Sequence, residues 1–134
     1  MKQIVFGIGV IGVVAACQMP QMPGPADGAR LFSAHCAACH GSDAKGAGPE
    51  TLGIGAIPPD LTTLAARNGG AFPRAAVLST IDGYVEGSHP GRVMPEFGAD
   101  LGGDLVPVEV DGVMTPTPGA LAGLLAYLES VQVN

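Results

Sequence analysis

The chain has 134 residues, and twelve acidic residues against six basic ones give it a formal net charge of −6. An acidic surface repels the phosphate backbone, so nucleic acid is excluded as the main partner. The length predicts one small domain. Aromatic residues make up only 4 % of the chain, Trp is absent, and Gly (21) and Pro (12) are abundant. A small core so poor in large side chains often depends on a metal or a cofactor.

Residues 1–16 follow the pattern of a signal peptide. Lys2 precedes an apolar run from Ile4 to Val14, and the segment ends in small residues. The run is shorter than the roughly 17 to 25 residues that a membrane-spanning helix needs. The pattern therefore predicts export of the chain and not a transmembrane anchor.

The sequence VAAC, which ends at Cys17, resembles the lipobox of bacterial lipoproteins. This resemblance implies that Cys17 becomes the N-terminus and carries a lipid, although simple cleavage nearby is an alternative. The prolines of residues 17–26 predict an extended tether, and residues 27–134 then form the folded domain. The expected location is the periplasmic side of a membrane, where the lipid holds the protein.

A first helix is predicted to begin at Asp27, a suitable N-cap residue, and to place Leu31 and Phe32 on its inner side. This helix leads into the sequence CAACH at residues 36–40. The pattern C-x-x-C-H is the attachment signature of a c-type haem. The sequence therefore predicts one covalently bound haem c.

In such a site Cys36 and Cys39 form thioethers to the two vinyl groups, and His40 is the proximal ligand of the iron. Three other structures use similar residues. A thioredoxin-like redox pair should follow a strand, whereas a helical pattern precedes this one. A zinc ribbon needs a second pair of ligands, and a disulfide between the two cysteines leaves the adjacent histidine unexplained.

Two further helices are predicted after the haem motif. The first is short and lies around residues 61–67. The second runs over residues 73–82, with Pro73 at its first helical position and Gly83 as its stop signal. Its predicted inner side consists of Val77, Leu78 and Ile81.

The second axial ligand decides the class of haem protein, and Met94 is the best candidate for it. Met94 lies in GRVMPEFG, where the proline favours an extended loop that aims the thioether at the iron. Met114 is interpreted as a packed or exposed side chain of a hairpin arm. His35 lies on the same turn as the haem motif and cannot reach the opposite face. His89 is a reserve ligand near Met94.

The C-terminal part of the chain predicts a hairpin followed by a helix. Asp111-Gly112 is a type I′ turn signal, which predicts a small hairpin at about residues 105–117. The last helix is predicted to start after Thr117 as its cap, with Pro118 at the first helical position. Its inward residues are Leu121, Leu124, Leu125 and Leu128.

Together these motifs resemble the class I, monohaem c-type cytochromes from about residue 27 to residue 131. MPEF resembles the Met-ligand loop of that family, which implies that Met94 is the distal ligand. KGAGPETL is similar to its loop after the haem, which implies that the carbonyl of Pro49 accepts a hydrogen bond from the proximal histidine. GARLFSAHC and LLAYLESV resemble its first and last helices, which implies that Tyr127 packs across Gly28.

The resemblance implies an all-α, class I cytochrome c fold with three to four helices packed around the haem. The hairpin lies in an insert at about residues 98–117, whose role the resemblance does not give. Arg92, and with less favourable placement Arg74, are candidates to bind a haem propionate. A solvated surface arginine fits either position equally well.

The expected function is electron transfer through one haem c with His40 and Met94 as axial ligands. Redox proteins with a basic docking patch are the expected partners, because complementary charges raise encounter rates. No small-molecule substrate and no enzymatic activity are expected, since the sequence offers no distal acid–base pair. The alternatives are a haem sensor or enzyme with a displaceable distal ligand, and a permanent cytochrome subunit of a larger oxidoreductase.

Overall fold

A computed structural model describes residues 21–46, 48, 57–84 and 94–133. The helices in this part of the chain are α1 (Pro25–His35), α2 (Ala37–His40), α3 (Leu64–Arg67), α4 (Arg74–Asp82) and α5 (Gly119–Ser130), and the strands are β1 (Leu105–Val110) and β2 (Val113–Pro118). A 3-10 turn at Leu61–Thr63 leads into α3, which confirms the short helical segment predicted around residues 61–67. None of the described helices is long and apolar enough to cross a membrane.

The crossing of α1 and α5 forms the centre of the fold. A Cβ atom on Gly28 would overlap the carbonyl oxygen of Gly123 and crowd the Cβ of Tyr127, so the two backbones lie in direct contact. The ring of Phe32 lies 5.1 Å from the ring of Tyr127, measured between centroids. This geometry confirms the predicted packing of Tyr127 across Gly28, and it requires the absence of a side chain at residue 28.

The core is built from aliphatic side chains on three helices and the hairpin. All four leucines of α5 that were predicted to face inward are buried, and Leu124 is fully enclosed. Val77 and Ile81 of α4 are buried beside them, as predicted. Burial of one such side chain stabilises the folded state by about 1.5 to 3 kcal/mol, so this cluster is the main source of stability in a domain with few aromatics.

The predicted N-cap of the first helix is wrong by three residues. Helix α1 begins at Pro25 with Gly24 as its N-cap, and Asp27 lies inside the first turn. There the Asp27 carboxylate accepts a hydrogen bond of 2.9 Å from the Gly24 amide, which is the main cause of its lowered pKa. Pro25 tolerates the first helical position because it has no amide hydrogen to leave unpaired, so the helix extends past the residue predicted to cap it.

The prolines before α4 and α5 also lie one position earlier than predicted. Pro73 and Pro118 are N-cap residues, and neither occupies the first helical position. Pro118 still has the extended conformation of β2, with ψ of 135°, and the Thr117 hydroxyl donates to the carbonyl of Thr115 instead of capping the helix. The end of α4 agrees with the prediction, since Gly83 terminates it with a φ of 88°.

The hairpin of β1 and β2 confirms the prediction made from Asp111-Gly112. The strands are antiparallel and close on the pair Val110 and Val113. Both turn residues have positive φ, 51° and 84°, as a type I′ turn requires. The inner side of the hairpin is buried and contacts α5; its buried residues are Val106, Val108 and Thr117.

Candidate functional site

The two cysteines of CAACH lie at the junction of α1 and α2. The Cys36 amide donates to the Phe32 carbonyl at 2.9 Å, and the Cys36 carbonyl accepts from the His40 amide at 2.9 Å. Cys36 therefore ends one helix and begins the next, and Cys39 follows one turn later. Both thiols are free. The structure brings the three predicted residues of the haem motif together on one short helical turn.

The chemistry of Cys36 does not suit a redox dithiol. Burial, with a smaller contribution from the charge of the nearby Cys39, raises its pKa to about 11. A reactive redox cysteine needs a lowered pKa, because the thiolate is the nucleophile. Helix α1 directly precedes the pair, whereas a thioredoxin-like pair follows a strand. The two thiols are thus poorly placed for disulfide exchange and well suited to permanent attachment.

His40 is enclosed by protein on its inner side. The residue is 8 % exposed, and its Nδ1 is buried without a hydrogen bond of standard geometry to the described residues. Burial lowers the pKa of the imidazole, and the carbonyl of Pro59 opposes this as a hydrogen-bond acceptor. Pro49, the acceptor that the resemblance implies for Nδ1, lies outside the described residues, so the partner of this nitrogen stays a prediction. With its pKa lowered, the ring is neutral at pH 7, the form that binds a metal.

Two glycines hold the following loop against the end of α2. The Gly46 amide donates to the His40 carbonyl at 2.8 Å, and the Gly48 amide donates to the Cys39 carbonyl at 3.0 Å. A Cβ atom on Gly46 would overlap the carbonyl oxygen of Pro58, and one on Gly48 would overlap that of Ala38. The loop thus pairs carbonyls at the helix end that would otherwise lack partners, and it brings the Pro58-Pro59 segment beside the imidazole.

The Met94 segment is attached to the end of α4. The amides of Phe97 and Gly98 donate to the carbonyls of Ile81 and Asp82 at 2.9 and 3.1 Å. The Phe97 ring lies 6.3 Å from the ring of His35, the residue before the haem motif. Met94 itself is partly buried and packs against the core. The segment that carries the predicted distal ligand therefore lies next to the cysteine-bearing turn.

Arg74 does not fit the role of a propionate ligand. Its guanidinium donates to the Glu129 carboxylate at 2.7 Å and to the Glu109 carbonyl at 2.9 Å. These bonds tie α4 to α5 and β1, so the side chain is engaged in holding the fold. Met114 is 60 % exposed on the hairpin, in agreement with the interpretation given to it.

Four of the predicted site residues lie outside the described part of the chain, and their roles remain predictions. They are Cys17, Pro49, His89 and Arg92. Pro59 is the site residue that the sequence analysis did not identify. The sequence signal for it is PPDL at residues 58–61, in which Pro59 precedes Asp60. The Asp60 carboxylate accepts hydrogen bonds from the Thr62 amide and hydroxyl at 2.8 and 2.6 Å, and these bonds fix the turn.

Comparison with known proteins identifies the family. A family model described as Cytochrome c matches residues 25–132. Because the match spans most of the chain, the protein belongs to the cytochrome c family, which implies a covalently bound haem c and haem-based electron transfer. No curated protein and no solved structure matched the chain.

The residues present fit a haem c. Two free thiols lie one turn apart, and the adjacent imidazole has a pKa lowered by burial and a buried Nδ1. Across the described ranges, no three His, Cys, Asp or Glu side chains gather into a cluster that could hold a metal ion, so these residues give no support to a zinc ribbon.

Proposed function

We propose that this protein is a class I cytochrome c that carries single electrons through one haem c, with His40 and Met94 as the axial ligands. The observation that carries this proposal is the contact between Phe97 and His35, which puts the Met94 segment beside the haem motif. A Met114 ligand is disfavoured, because its side chain is exposed on the hairpin.

The roles of the site residues follow from their chemistry. Haem c supplies one-electron transfer, its iron alternating between the ferrous and ferric states. Cys36 and Cys39 would hold the group covalently, and the Pro49 carbonyl, the predicted acceptor for Nδ1, would orient His40 and strengthen it as a donor. The thioether of Met94 favours ferrous iron and raises the potential relative to two nitrogen ligands. It also fills the position that a substrate would need, so the protein is a carrier and not an enzyme.

The proposed partners are redox proteins with a basic surface around their docking site. Residues 93–134 contain no lysine, arginine or histidine, but they contain six acidic residues. Glu109 and Glu129 bind Arg74, and the other four carboxylates would attract a basic partner over a distance of about 10 Å at moderate salt and release it when salt screens the charges. Brief contacts of this kind suit a shuttle.

We further propose that the protein works at the periplasmic side of a membrane, to which a lipid on Cys17 attaches it. The supporting pattern is the apolar segment before VAAC, together with the location of c-type haem attachment in bacteria, which is outside the cytoplasm. A tether keeps the domain at high local concentration near membrane complexes. Arg92 is the proposed partner of a haem propionate.

The visible spectrum of the purified, oxidised protein tests the axial ligands. We expect the weak far-red band of methionine sulfur on ferric haem, and we expect no binding of carbon monoxide after reduction. If the band is absent and carbon monoxide binds rapidly, the protein is a sensor or an enzyme and not an electron carrier. Co-purification of a partner that persists at high salt would identify a permanent subunit instead of a shuttle.

A further inference from the structure

The outer side of the hairpin is apolar although it faces solvent. Strand residues alternate between two sides, and the buried Val106, Val108 and Thr117 define the inner one. The outer side, called the hairpin face below, consists of three facing pairs: Leu105 with Pro118, Pro107 with Pro116, and Glu109 with Met114. All but Glu109 are apolar, and Leu105 and Met114 are 62 % and 60 % exposed. Since a sheet face in contact with water is ordinarily polar, this face is expected to contact a partner.

A groove of about 320 Å³ adjoins the hairpin face. Its apolar lining includes Met22, Pro23, Pro107, Met114, Ala122 and Ala126. Arg74 holds its walls together, because the guanidinium donates to the Glu109 carbonyl at 2.9 Å and to the Glu129 carboxylate at 2.7 Å. The groove is therefore preformed, and it has room for one large apolar side chain of a partner.

Carboxylates lie at both ends of the hairpin face. Asp104 directly precedes Leu105, Asp111 is the first residue of the turn, and both are exposed. Neither forms an ion pair with another described residue, whereas Glu109 is paired with Arg74. The face thus has an apolar centre and negative charge at its ends, as an interface with an apolar centre and a polar rim does.

These charges discriminate between three kinds of occupant. A membrane surface with anionic lipids would repel them. A second copy in a twofold contact would bring carboxylates of the same sign together, because such a contact uses the same patch on both copies. A basic protein would instead place its cations opposite Asp104 and Asp111. Charge complementarity therefore favours the basic protein.

We propose that the hairpin face and its groove form the docking surface for a basic partner protein. The partner inserts an apolar side chain into the groove and pairs lysine or arginine side chains with Asp104 and Asp111. The inference rests on the proposed function, in which the partner is a basic redox protein. It gives the insert at residues 98–117 a role, which is to select that partner.

The test identifies what touches the hairpin face in the full-length, haem-loaded protein in the cells that produce it. The photo-crosslinking amino acid p-benzoylphenylalanine, which is itself apolar, replaces Met114, and mass spectrometry identifies the adducts formed under light. The matched control carries the same amino acid in place of Ser33, which is exposed on α1, outside the hairpin. A further protein combines the replacement at residue 114 with Asp104→Lys and Asp111→Lys.

We expect residue 114, and not residue 33, to form an adduct with a protein whose crosslinked region is rich in lysine and arginine. Reversal of the two charges should lower the yield of this adduct about fivefold or more, since like charges then face each other. An adduct with a second copy, with a lipid or with a protein whose yield does not respond to the charges would overturn the proposal. So would the absence of an adduct from residue 114, or an equal yield from residue 33.

A second variant tests the apolar centre of the hairpin face. Leu105→Ser changes a side chain that is 62 % exposed, so the fold should persist, and the adduct yield should fall. An unchanged yield would contradict the proposed apolar contact. The visible spectrum separates this proposal from the proposed function: a protein that has the methionine band but forms no adduct contradicts the docking surface alone, whereas a protein without the band contradicts the carrier.

Discussion

The cysteine-bearing side of the site and the Met94 side are held in different ways. On the first side backbone packs against backbone: α1 crosses α5 at Gly28, and Gly46 and Gly48 press the following loop onto α2. On the second side, the segment around Met94 is held by two amide hydrogen bonds to the end of α4 and by the ring contact between Phe97 and His35. The proximal ligand is therefore part of the core of the fold, whereas the distal ligand is attached to it. Damage to the first should cost global stability, and damage to the second should change ligation.

The largest expected effect is that of Gly28→Ala on the free energy of unfolding. The new methyl group would overlap the Gly123 carbonyl, and neither backbone can move without separating α1 from α5. We expect a loss of about 3 kcal/mol or more, measured by denaturant unfolding of the haem-loaded protein. Gly123→Ala is the matched control at the same crossing, because its Cβ would lie at an ordinary 3.4 Å from its nearest neighbours. Equal losses in both variants would show that the close crossing is not what stabilises this side.

Met94→Ala should separate ligation from folding. The variant is expected to retain covalent haem, lose the far-red band, bind carbon monoxide when reduced and have a lower midpoint potential. The polypeptide should lose about 1 to 3 kcal/mol of stability, since the side chain is only partly buried. Met114→Ala is the control and should leave the spectrum unchanged. Loss of the band in Met114→Ala instead would transfer the ligand role to the hairpin.

Gly83→Ala tests how firmly α4 holds the Met94 segment. Gly83 has a φ of 88°, and a Cβ there would lie 2.5 Å from the Glu96 Cγ, so the segment has to shift. The strained conformation alone costs about 1 to 2 kcal/mol. Gly69→Ala has a similar φ of 70° with nothing nearby, and so isolates that cost. We expect only Gly83→Ala to lower the temperature at which the far-red band disappears; equal behaviour would mean that the Glu96 contact does not position Met94.

The smallest effect concerns pH. Hydrogen bonds from the Thr62 hydroxyl and amide hold the pKa of Asp60 below its ordinary value of 3.8. A carboxyl group whose pKa is lower in the folded state than in the unfolded state stabilises the fold at pH values above its unfolded-state pKa. This contribution to stability is lost as the pH falls through the folded-state pKa. Unfolding measurements from pH 6 to pH 2 should therefore show a steeper acid loss in the wild type than in Asp60→Asn, which retains an acceptor without the charge. The same dependence of unfolding free energy on pH in both proteins would show that Asp60 does not cause the acid loss of stability.

The sequence predicted the parts of the fold that side chains specify. The inward leucines of α5, the stop at Gly83 and the hairpin at Asp111-Gly112 each follow from a residue type with one strong preference. The starts of α1, α4 and α5 were less predictable, since each lies at a proline. A proline suits both the N-cap and the first helical position, and the preceding chain decides between them.

The candidate site shows the same division. The motif with its cysteines and histidine was readable because the chemistry lies in the side chains. The acceptor that the resemblance implies for His40, the Pro49 carbonyl, lies outside the described residues and stays a prediction. Arg74 was a candidate for a haem propionate because of its charge, whereas the partners that occupy it, Glu109 and Glu129, are distant in sequence.

The prolines of the hairpin limit how its two-stranded sheet can be extended. Pro107 faces Pro116 across the two strands. Because proline has no amide hydrogen, this is a pair without hydrogen bonds between its members, and in every second pair along the strands the backbone nitrogens point away from the partner strand. On that outward row β2 has Met114, Pro116 and Pro118, and two of these three positions have no amide hydrogen to offer. A second copy of the hairpin cannot extend the sheet along this edge. Strand-by-strand association is therefore blocked at the β2 edge, and recognition along this edge has to use side chains.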